Sequence, residues 1–242
     1  MAKVLVVEES AIVRGVFEKL FGECDIFSCD IVTSYEEAKL FLEKNKYDYA
    51  IVEHILSDAP KGEIIALLNR HDIAPLVFTK EIDEEFFESF EGAQIIDYVI
   101  KQKYNNVTNV LEKLKQIEKN RTIGVVVLSI SRLFSIYLTQ NLHLHGFDVF
   151  LAKDEAELYT IIQHNEKVTL FILDESQTHT DSLKIVENIR KVKSGKEIKI
   201  LALSEETNSY AISTLLNNGV DDYLIKPFSR TEFYVRVYQN IN

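Results

Sequence analysis

The chain has 242 residues, of which 46% are hydrophobic and 27% are charged, and these fractions are typical of globular proteins and not of disordered chains. A net charge of −11 repels the phosphate backbone of nucleic acids, so no direct nucleic-acid binding is expected. No apolar run approaches the roughly 20 residues that cross a bilayer, and the amino terminus lacks a secretory pattern. We therefore expect a cytoplasmic protein without a membrane segment.

Short apolar segments alternate with helical patterns along the first half of the chain. Residues 4–7, 49–52, 76–78 and 95–100 form continuous apolar runs, as in strands that are covered on both faces of a sheet. Ser10 and Ser34 precede segments of helical periodicity and are predicted to cap those helices. A further helix is predicted over 106–119. The pattern favours alternating strands and helices.

The second half of the chain repeats the first. VLVVEES at 4–10 returns as VVVLSIS at 125–131, and YAIVE at 49–53 returns as LFILD at 170–174, both 121 residues later. Strands are predicted near 123–128, 147–151, 169–173, 198–203 and 222–225. Five β/α units in each copy predict an α/β fold, with two flavodoxin-like (βα)5 doubly wound parallel-sheet domains in tandem at 1–120 and 121–242.

Polar residues follow the predicted strands at the edge where open α/β sheets place their sites. In copy one these residues are Glu8, Glu9, Glu53, Thr79 and Lys101. In copy two the corresponding residues are Ser129, Ile130, Asp174, Ser204 and Lys226. Successive spacings are 44, 26 and 22 residues in copy one and 44, 30 and 22 in copy two, so the same site is predicted twice.

With these spacings, and with the segment GVDDYLIKPF at 219–228, the chain resembles the receiver domains of two-component response regulators over nearly its whole length. The resemblance implies a regulatory protein and not an enzyme. It implies that an acidic pair binds Mg²⁺ beside a phospho-accepting Asp, and that a hydroxyl and a lysine contact the phosphoryl group. A histidine kinase or phosphotransfer protein would be the donor.

In copy two the resemblance assigns Asp174 as the phospho-acceptor, with Ser204 and Lys226 contacting the phosphate. Ser129 and Ile130 stand where the acidic pair is expected, and neither supplies the anionic oxygens that Mg²⁺ requires. Metal-assisted phosphorylation of Asp174 is therefore expected to be slow or absent. The alternative is that Asp174 and Lys226 are a retained ion pair that holds the loops together.

Copy one keeps the charges but lengthens the carboxylates. Glu53 is the degenerate counterpart of the acceptor, and Glu8, Glu9 and Glu53 form a metal set that is weak or lost, because an added methylene displaces each carboxylate from Mg²⁺ geometry. Thr79 and Lys101 remain as phosphate-contacting residues. One hypothesis is that Glu53 pairs with Lys101 and locks copy one near the phosphorylated shape. The other is that copy one binds a divalent ion and is weakly phosphorylated.

Tyr98 and Tyr223 each stand three residues before the lysine, where the family carries a switch aromatic. The alternative for both is a half-buried strand tyrosine without a switching role. Glu175 follows the acceptor, and strand alternation predicts that its side chain points to the other face of the sheet.

Two further features lie near these sites. Lys226-Pro227 matches a dipeptide that is usually cis in the family, whereas Lys101-Gln102 in copy one is expected to be trans or rearranged, because a non-proline cis bond costs about 3–4 kcal/mol. The segment EIDEEFFESFE at 81–91 is predicted to be either a plain amphipathic helix or a partner-binding surface.

These features predict a regulatory tandem receiver module of a phosphorelay response regulator. The chain stops where the last helix of copy two should end, so we expect either an adaptor or the N-terminal input part of a longer protein, with an output such as a diguanylate cyclase. A homodimer through the fourth and fifth helices of each copy is a further expectation. The alternative is a phosphorylation-independent scaffold; a nucleotide-binding flavodoxin-like module is disfavoured, because the chain lacks a Gly-rich phosphate loop.

Overall fold

The structure, a computed structural model, describes residues 1–80, 90, 92–101, 106–175, 182–192 and 198–241. The chain divides into two units, Met1–Glu118 and Lys119–Asn242, which are called the first and second domain below. The segment 81–91 lies outside the described residues except for Phe90, and Gln102 lies outside them as well.

The first domain is built on a five-stranded parallel sheet with the order β2-β1-β3-β4-β5. Its strands are β1 (Ala2–Val7), β2 (Phe27–Val32), β3 (Tyr49–Val52), β4 (Pro75–Thr79) and β5 (Asp97–Ile100). Its described helices are α1 (Ala11–Gly22), α2 (Tyr35–Lys44) and α3 (Glu63–Arg70), followed by α4 (Asn106–Asn120), which leads into the second domain.

The second domain repeats this arrangement in a second parallel sheet with the order β10-β9-β8-β6-β7. Its strands are β6 (Gly124–Leu128), β7 (Asp148–Ala152), β8 (Val168–Asp174), β9 (Lys199–Ser204) and β10 (Asp222–Ile225). Its described helices are α5 (Arg132–Leu144), α6 (Glu155–His164), α7 (Ser182–Val192), α8 (Ser209–Asn217) and α9 (Arg230–Ile241). Both sheets have the flavodoxin-like strand order, which confirms the predicted fold class.

Each sheet is apolar on both faces, and this explains the continuous hydrophobic runs in the sequence. Along β1, Leu5 and Val7 pack into one core cluster, whereas Val4 and Val6 pack with Phe17 into another. Successive strand residues point to opposite faces, so a strand with helices on both sides needs apolar residues at every position. The same division holds along β6. The polar residues Glu8 and Ser129 come directly after the last residues of β1 and β6.

Short polar residues start the helices that follow the strands. The side chains of Ser10 and Ser34 accept hydrogen bonds from the backbone N–H groups of Val13 and Glu37, as predicted. In the second domain Ser131 caps α5 in the same way. The N-caps at Ser10 and Ser131 place the first helix of each domain directly beside the carboxyl end of its first strand.

The first domain's last strand is shorter than its apolar run. β5 begins at Asp97, and the buried residues Ile95 and Ile96 precede it. A hydrophobic run marks burial, and hydrogen bonding in the sheet decides where the strand starts. Within the described part of the chain, no helix is both long and apolar enough to cross a membrane.

Replacing Phe171 by Ala tests the core of the second domain. Phe171 on β8 is fully buried, so the variant is expected to lower the free energy of unfolding of this domain by about 3–5 kcal/mol. Native-state hydrogen exchange of the β6 and β8 amides measures the change. The control is Leu133→Ala, whose side chain is 82% exposed and whose effect should stay below about 0.5 kcal/mol. Equal effects of the two variants would contradict the assigned core.

Candidate functional site

The polar residues singled out in the sequence converge at the carboxyl-terminal edge of each sheet. In the first domain, β1 and β3 end one residue before Glu8 and Glu53, and β5 ends one residue before Lys101. Thr79 is the last residue of β4. Because the strands are parallel and adjacent, their ends lie side by side and bring distant parts of the chain together.

The Lys101 ammonium joins two buried carboxylates in the first domain. Its Nζ lies 2.6 Å from Glu8 Oε2 and also contacts Glu53 Oε2. The exposed fractions of the Lys101, Glu8 and Glu53 side chains are only 10%, 3% and 10%. The ammonium also lies 5.0 Å from the centre of the Phe78 ring. Ion pairs in such surroundings are screened weakly by water, so each of these charges needs its partner in the pair.

The other acidic residue of the predicted pair points elsewhere. Glu9 is exposed, and its Oε1 accepts a hydrogen bond of 2.7 Å from the backbone N–H of Ser57. The second oxygen of Glu8 accepts a bond of 2.9 Å from the backbone N–H of Ser10. Thr79 is buried beside them, at 2% exposure. Glu8 and Glu53 therefore share the Lys101 ammonium, whereas Glu9 is held by a backbone N–H group.

These carboxylates do not fit Mg²⁺ as they are placed. Mg²⁺ needs several oxygen ligands at about 2.1 Å in near-octahedral geometry. Here the Lys101 ammonium contacts both Glu8 and Glu53, while Glu9 binds Ser57. Among the residues that the structure describes, no group of three or more His, Cys, Asp or Glu side chains is arranged to hold a metal ion.

Asp174 occupies the corresponding position in the second domain and is also paired on both sides. Its carboxylate is fully buried, with Oδ1 at 2.5 Å from Lys226 Nζ and Oδ2 at 2.6 Å from Ser129 Oγ. The Lys226 ammonium lies 4.1 Å from the centre of the Phe134 ring. A hydroxyl and an ammonium thus neutralise and solvate Asp174, and Ser129 stands where a Mg²⁺ ligand would be expected.

The sequence indicated only that Ser129 replaces an acidic metal ligand. It did not predict that the Ser129 hydroxyl donates a hydrogen bond to Asp174. β6 and β8 pair with Leu128 opposite Leu173, which places residue 129 beside residue 174. A hydroxyl next to a buried carboxylate donates a hydrogen bond to it, because an unpaired buried charge is costly. The strand register is the signal that would have identified this bond.

Glu175 follows the end of β8, and the register of β8 with β9 places it beside Ser204. This is the side of the sheet where Leu173 and Tyr223 pack, and not the side of Leu203, as the predicted alternation expects. The Glu175 carboxyl contacts the Ser204 hydroxyl, and burial raises the pKa of the Glu175 carboxyl above its ordinary value.

The switch-aromatic positions differ between the domains. Tyr223 is buried and its hydroxyl donates a bond of 2.9 Å to the backbone oxygen of Glu206. Tyr98 is half-buried and packs against the core of the first domain. The Lys226-Pro227 peptide bond is cis, as the resemblance implies.

Comparison with known proteins places these observations in a family. Residues 125–238 match the family model described as response regulator receiver domain. A chemotaxis protein CheY homolog of Campylobacter jejuni is 28% identical over 82 residues, which is 34% of this chain and 63% of that protein. The response regulator MprA of a Mycobacterium species is 28% identical over 115 residues, which is 48% of this chain and 49% of that protein.

A solved structure of a two-component system response regulator/GGDEF domain protein matches both domains together. It is 25% identical, with a TM-score of 0.83, and the match covers 100% of this chain and 98% of that chain. A second structure with a similar description is 24% identical with a TM-score of 0.82. This chain spans less than two thirds of the length of the CheY homolog and of MprA, the curated relatives named above.

The fold and the ordered acceptor, hydroxyl and lysine define a class, the regulatory α/β domains of two-component signalling. The second domain matches the response regulator receiver family directly, and the first domain has the same flavodoxin-like fold.

Replacing Ser129 by Ala tests the bond to Asp174. The variant removes a hydrogen bond to a buried charged group, so the free energy of unfolding of the second domain should fall by about 1.5–3 kcal/mol. Hydrogen exchange of the β6 and β8 amides reports the loss. Thr160→Ala is the control, because this exposed hydroxyl bonds only to the carbonyl of Ala156 in its own helix. A Ser129 variant as stable as the control would show that the bond contributes nothing.

Proposed function

We propose that the chain is a regulatory tandem receiver module of a phosphorelay response regulator, in which internal side chains take over part of the role of Mg²⁺ and phosphate. The observation that carries the proposal is the pairing of both acceptor positions. Glu53 is held by Lys101, and Asp174 is held by Lys226 and Ser129. Such pairing lets a regulatory state exist without a phosphorylation event.

The first domain acts in this proposal as a pseudo-receiver. The added methylene of Glu53 supports its contact with Lys101, and the same ammonium binds Glu8. The lysine that would meet a phosphoryl group is therefore already neutralised. Glu53 is a poor acceptor, because phosphoryl transfer requires close positioning of the attacking oxygen. Glu8, Glu9 and Glu53 contribute charge and structure here.

The second domain retains Asp174 as the phospho-acceptor, and Asp174 accepts a phosphoryl group only slowly. Lys226 contacts Asp174 directly, and Ser204 is buried at the end of the neighbouring strand. Phosphorylation would require the bond from Ser129 to break, without an acidic pair to bring in Mg²⁺. Transfer to Asp174 is therefore slow, and the ion pair with Lys226 is the resting state.

The partners follow from the family and from the neighbouring structures. A histidine kinase or phosphotransfer protein in the cytoplasm is the proposed donor. A neighbour that aligns along this whole chain is described as a response regulator/GGDEF domain protein, which supports an output such as a diguanylate cyclase in a longer protein. We further propose a homodimer through the faces of the fourth and fifth receiver helices, which in the second domain are α8 and α9.

A second function is favoured by the same pairing. Two pockets whose carboxylates are already neutralised suit a phosphorylation-independent scaffold or dimerisation module. In that case Asp174 and Lys226 hold the loops and exchange no phosphate. The two functions differ in whether Asp174 takes up a phosphoryl group at all.

Restoring the acidic pair in the second domain distinguishes the receiver function from the scaffold function. The Ser129→Asp/Ile130→Asp variant supplies two carboxylates for Mg²⁺, and phosphorylation of Asp174 by phosphoramidate should become roughly tenfold faster or more than in the unmodified chain. Intact mass after incubation with Mg²⁺ measures the labile phosphoryl group, and Asp174→Asn in the same background is the control. A restored pair that gains no phosphate would favour the scaffold. An unmodified chain that is labelled equally fast would contradict the proposed loss of Mg²⁺.

A further inference from the structure

Glu175 is a partly buried acidic group that the family resemblance does not assign to any role. It follows Asp174 directly and is half-buried. β8 and β9 pair with Asp174 opposite Leu203, so the next residues, Glu175 and Ser204, lie beside each other at the strand ends. This register brings the Glu175 carboxylate and the Ser204 hydroxyl within reach of each other.

Ser204 connects Glu175 to a buried network. The Ser204 side chain is 2% exposed, and its Oγ accepts a bond of 3.1 Å from the backbone N–H of Glu206. The carbonyl of the same residue accepts the bond from the hydroxyl of Tyr223. A hydroxyl has one proton to donate, and the Glu175 carboxylate and the Tyr223 hydroxyl are both in contact with that of Ser204. Glu175, Ser204, the Glu206 backbone and Tyr223 therefore form one chain of contacts.

The surroundings of Glu175 act on the charge of its carboxyl group in opposite directions. Burial raises the pKa of Glu175, the bond from Ser204 lowers it, and the like charge of Glu206 raises it. Burial also raises the pKa of Tyr223, Ser204 lowers it, and the charges of Glu175 and Glu206 raise it. A charged acceptor in such surroundings forms a stronger hydrogen bond than a neutral one. The network is therefore sensitive to the charge of Glu175.

The first domain has a different residue at the same place. His54 follows Glu53 as Glu175 follows Asp174, and its ring packs edge-on against Phe90. The His54 Nδ1 lies 3.8 Å from Glu53 Oε1. An extra carboxylate after the acceptor is therefore specific to the second domain, the one in which the acceptor itself is a short Asp.

We propose that Glu175 is an internal anion that holds the Ser204 hydroxyl and thereby keeps Tyr223 buried, in the place of a phosphoryl group on Asp174. The inference deepens the proposed function, since it rests on the second domain being a receiver-type switch. It makes Glu175 a positioning residue: the carboxylate acts on Tyr223 through Ser204 and the Glu206 backbone. A phosphoryl group arriving at Asp174 would have to compete with it for the same hydroxyl.

Hydrogen exchange and fluorine NMR on the full chain test this role without any phosphate. Glu175→Leu removes the acceptor, so exchange of the Glu206 amide should accelerate roughly tenfold or more, and the signal of 3-fluorotyrosine at Tyr223 should move to an exposed position. Glu175→Gln keeps a weaker neutral acceptor and should give a smaller acceleration of several-fold. The Tyr223→Phe variant assigns the fluorine signal.

Glu205→Gln is the matched control, because it removes the same charge from an exposed position in the same loop. It should leave both signals as in the unmodified chain. A Glu175→Leu variant with an unchanged Glu206 amide and Tyr223 signal would overturn the proposal, and so would a control that produces the same change. If the leucine variant does not fold, Glu175→Gln decides alone, and exchange equal to that of the unmodified chain overturns the proposal.

A second measurement separates this inference from the proposed function. In the Ser129→Asp/Ile130→Asp background, adding Glu175→Gln should accelerate phosphorylation of Asp174 by several-fold, because an anion that competes with the phosphoryl group has been neutralised. If that background takes up no phosphate, the proposed function fails, and the exchange result still decides on Glu175. If the background is phosphorylated and the added substitution changes nothing, the competition is contradicted.

Discussion

The pairing of a lysine with a buried carboxylate is the interaction on which both sites depend. Parallel strands collect polar side chains at one edge, and burial there makes an unpaired charge cost several kcal/mol. Lys101 and Lys226 meet this requirement in the two domains. Each ion pair holds the ends of different strands together. It also engages the lysine and the carboxylate that would otherwise contact a phosphoryl group.

The two domains satisfy this constraint with different residues. In the first domain the carboxylates are long and the lysine contacts two of them, Glu8 and Glu53. In the second domain the acceptor Asp174 is short, and Ser129 donates to its second oxygen. In both domains, groups of the chain stand near the positions of metal and phosphate. The two domains therefore share one architecture, while different residues pair with the lysine and the carboxylate in each.

The fold could be predicted from the sequence because its cause is local and repeated. Strands with helices on both faces must be apolar throughout, and two copies show the same pattern. The convergence of Lys101 with Glu53, and of Lys226 with Asp174, followed from parallel strand ends. The bond from Ser129 and the contact of Glu175 with Ser204 were not predicted, because they require the residue-by-residue register of neighbouring strands, which the hydrophobic pattern alone does not give.

The most direct test of the account is an NMR titration of the unmodified chain with Mg²⁺ and beryllofluoride, which together mimic a phosphorylated receiver site. Because the carboxylates are already engaged by Lys101, Lys226 and Ser129, the backbone amide signals of Thr79 and Ser204 are expected to stay in place at millimolar Mg²⁺. A saturable shift of either signal would show that metal and phosphate displace the internal partners, and would contradict the central claim.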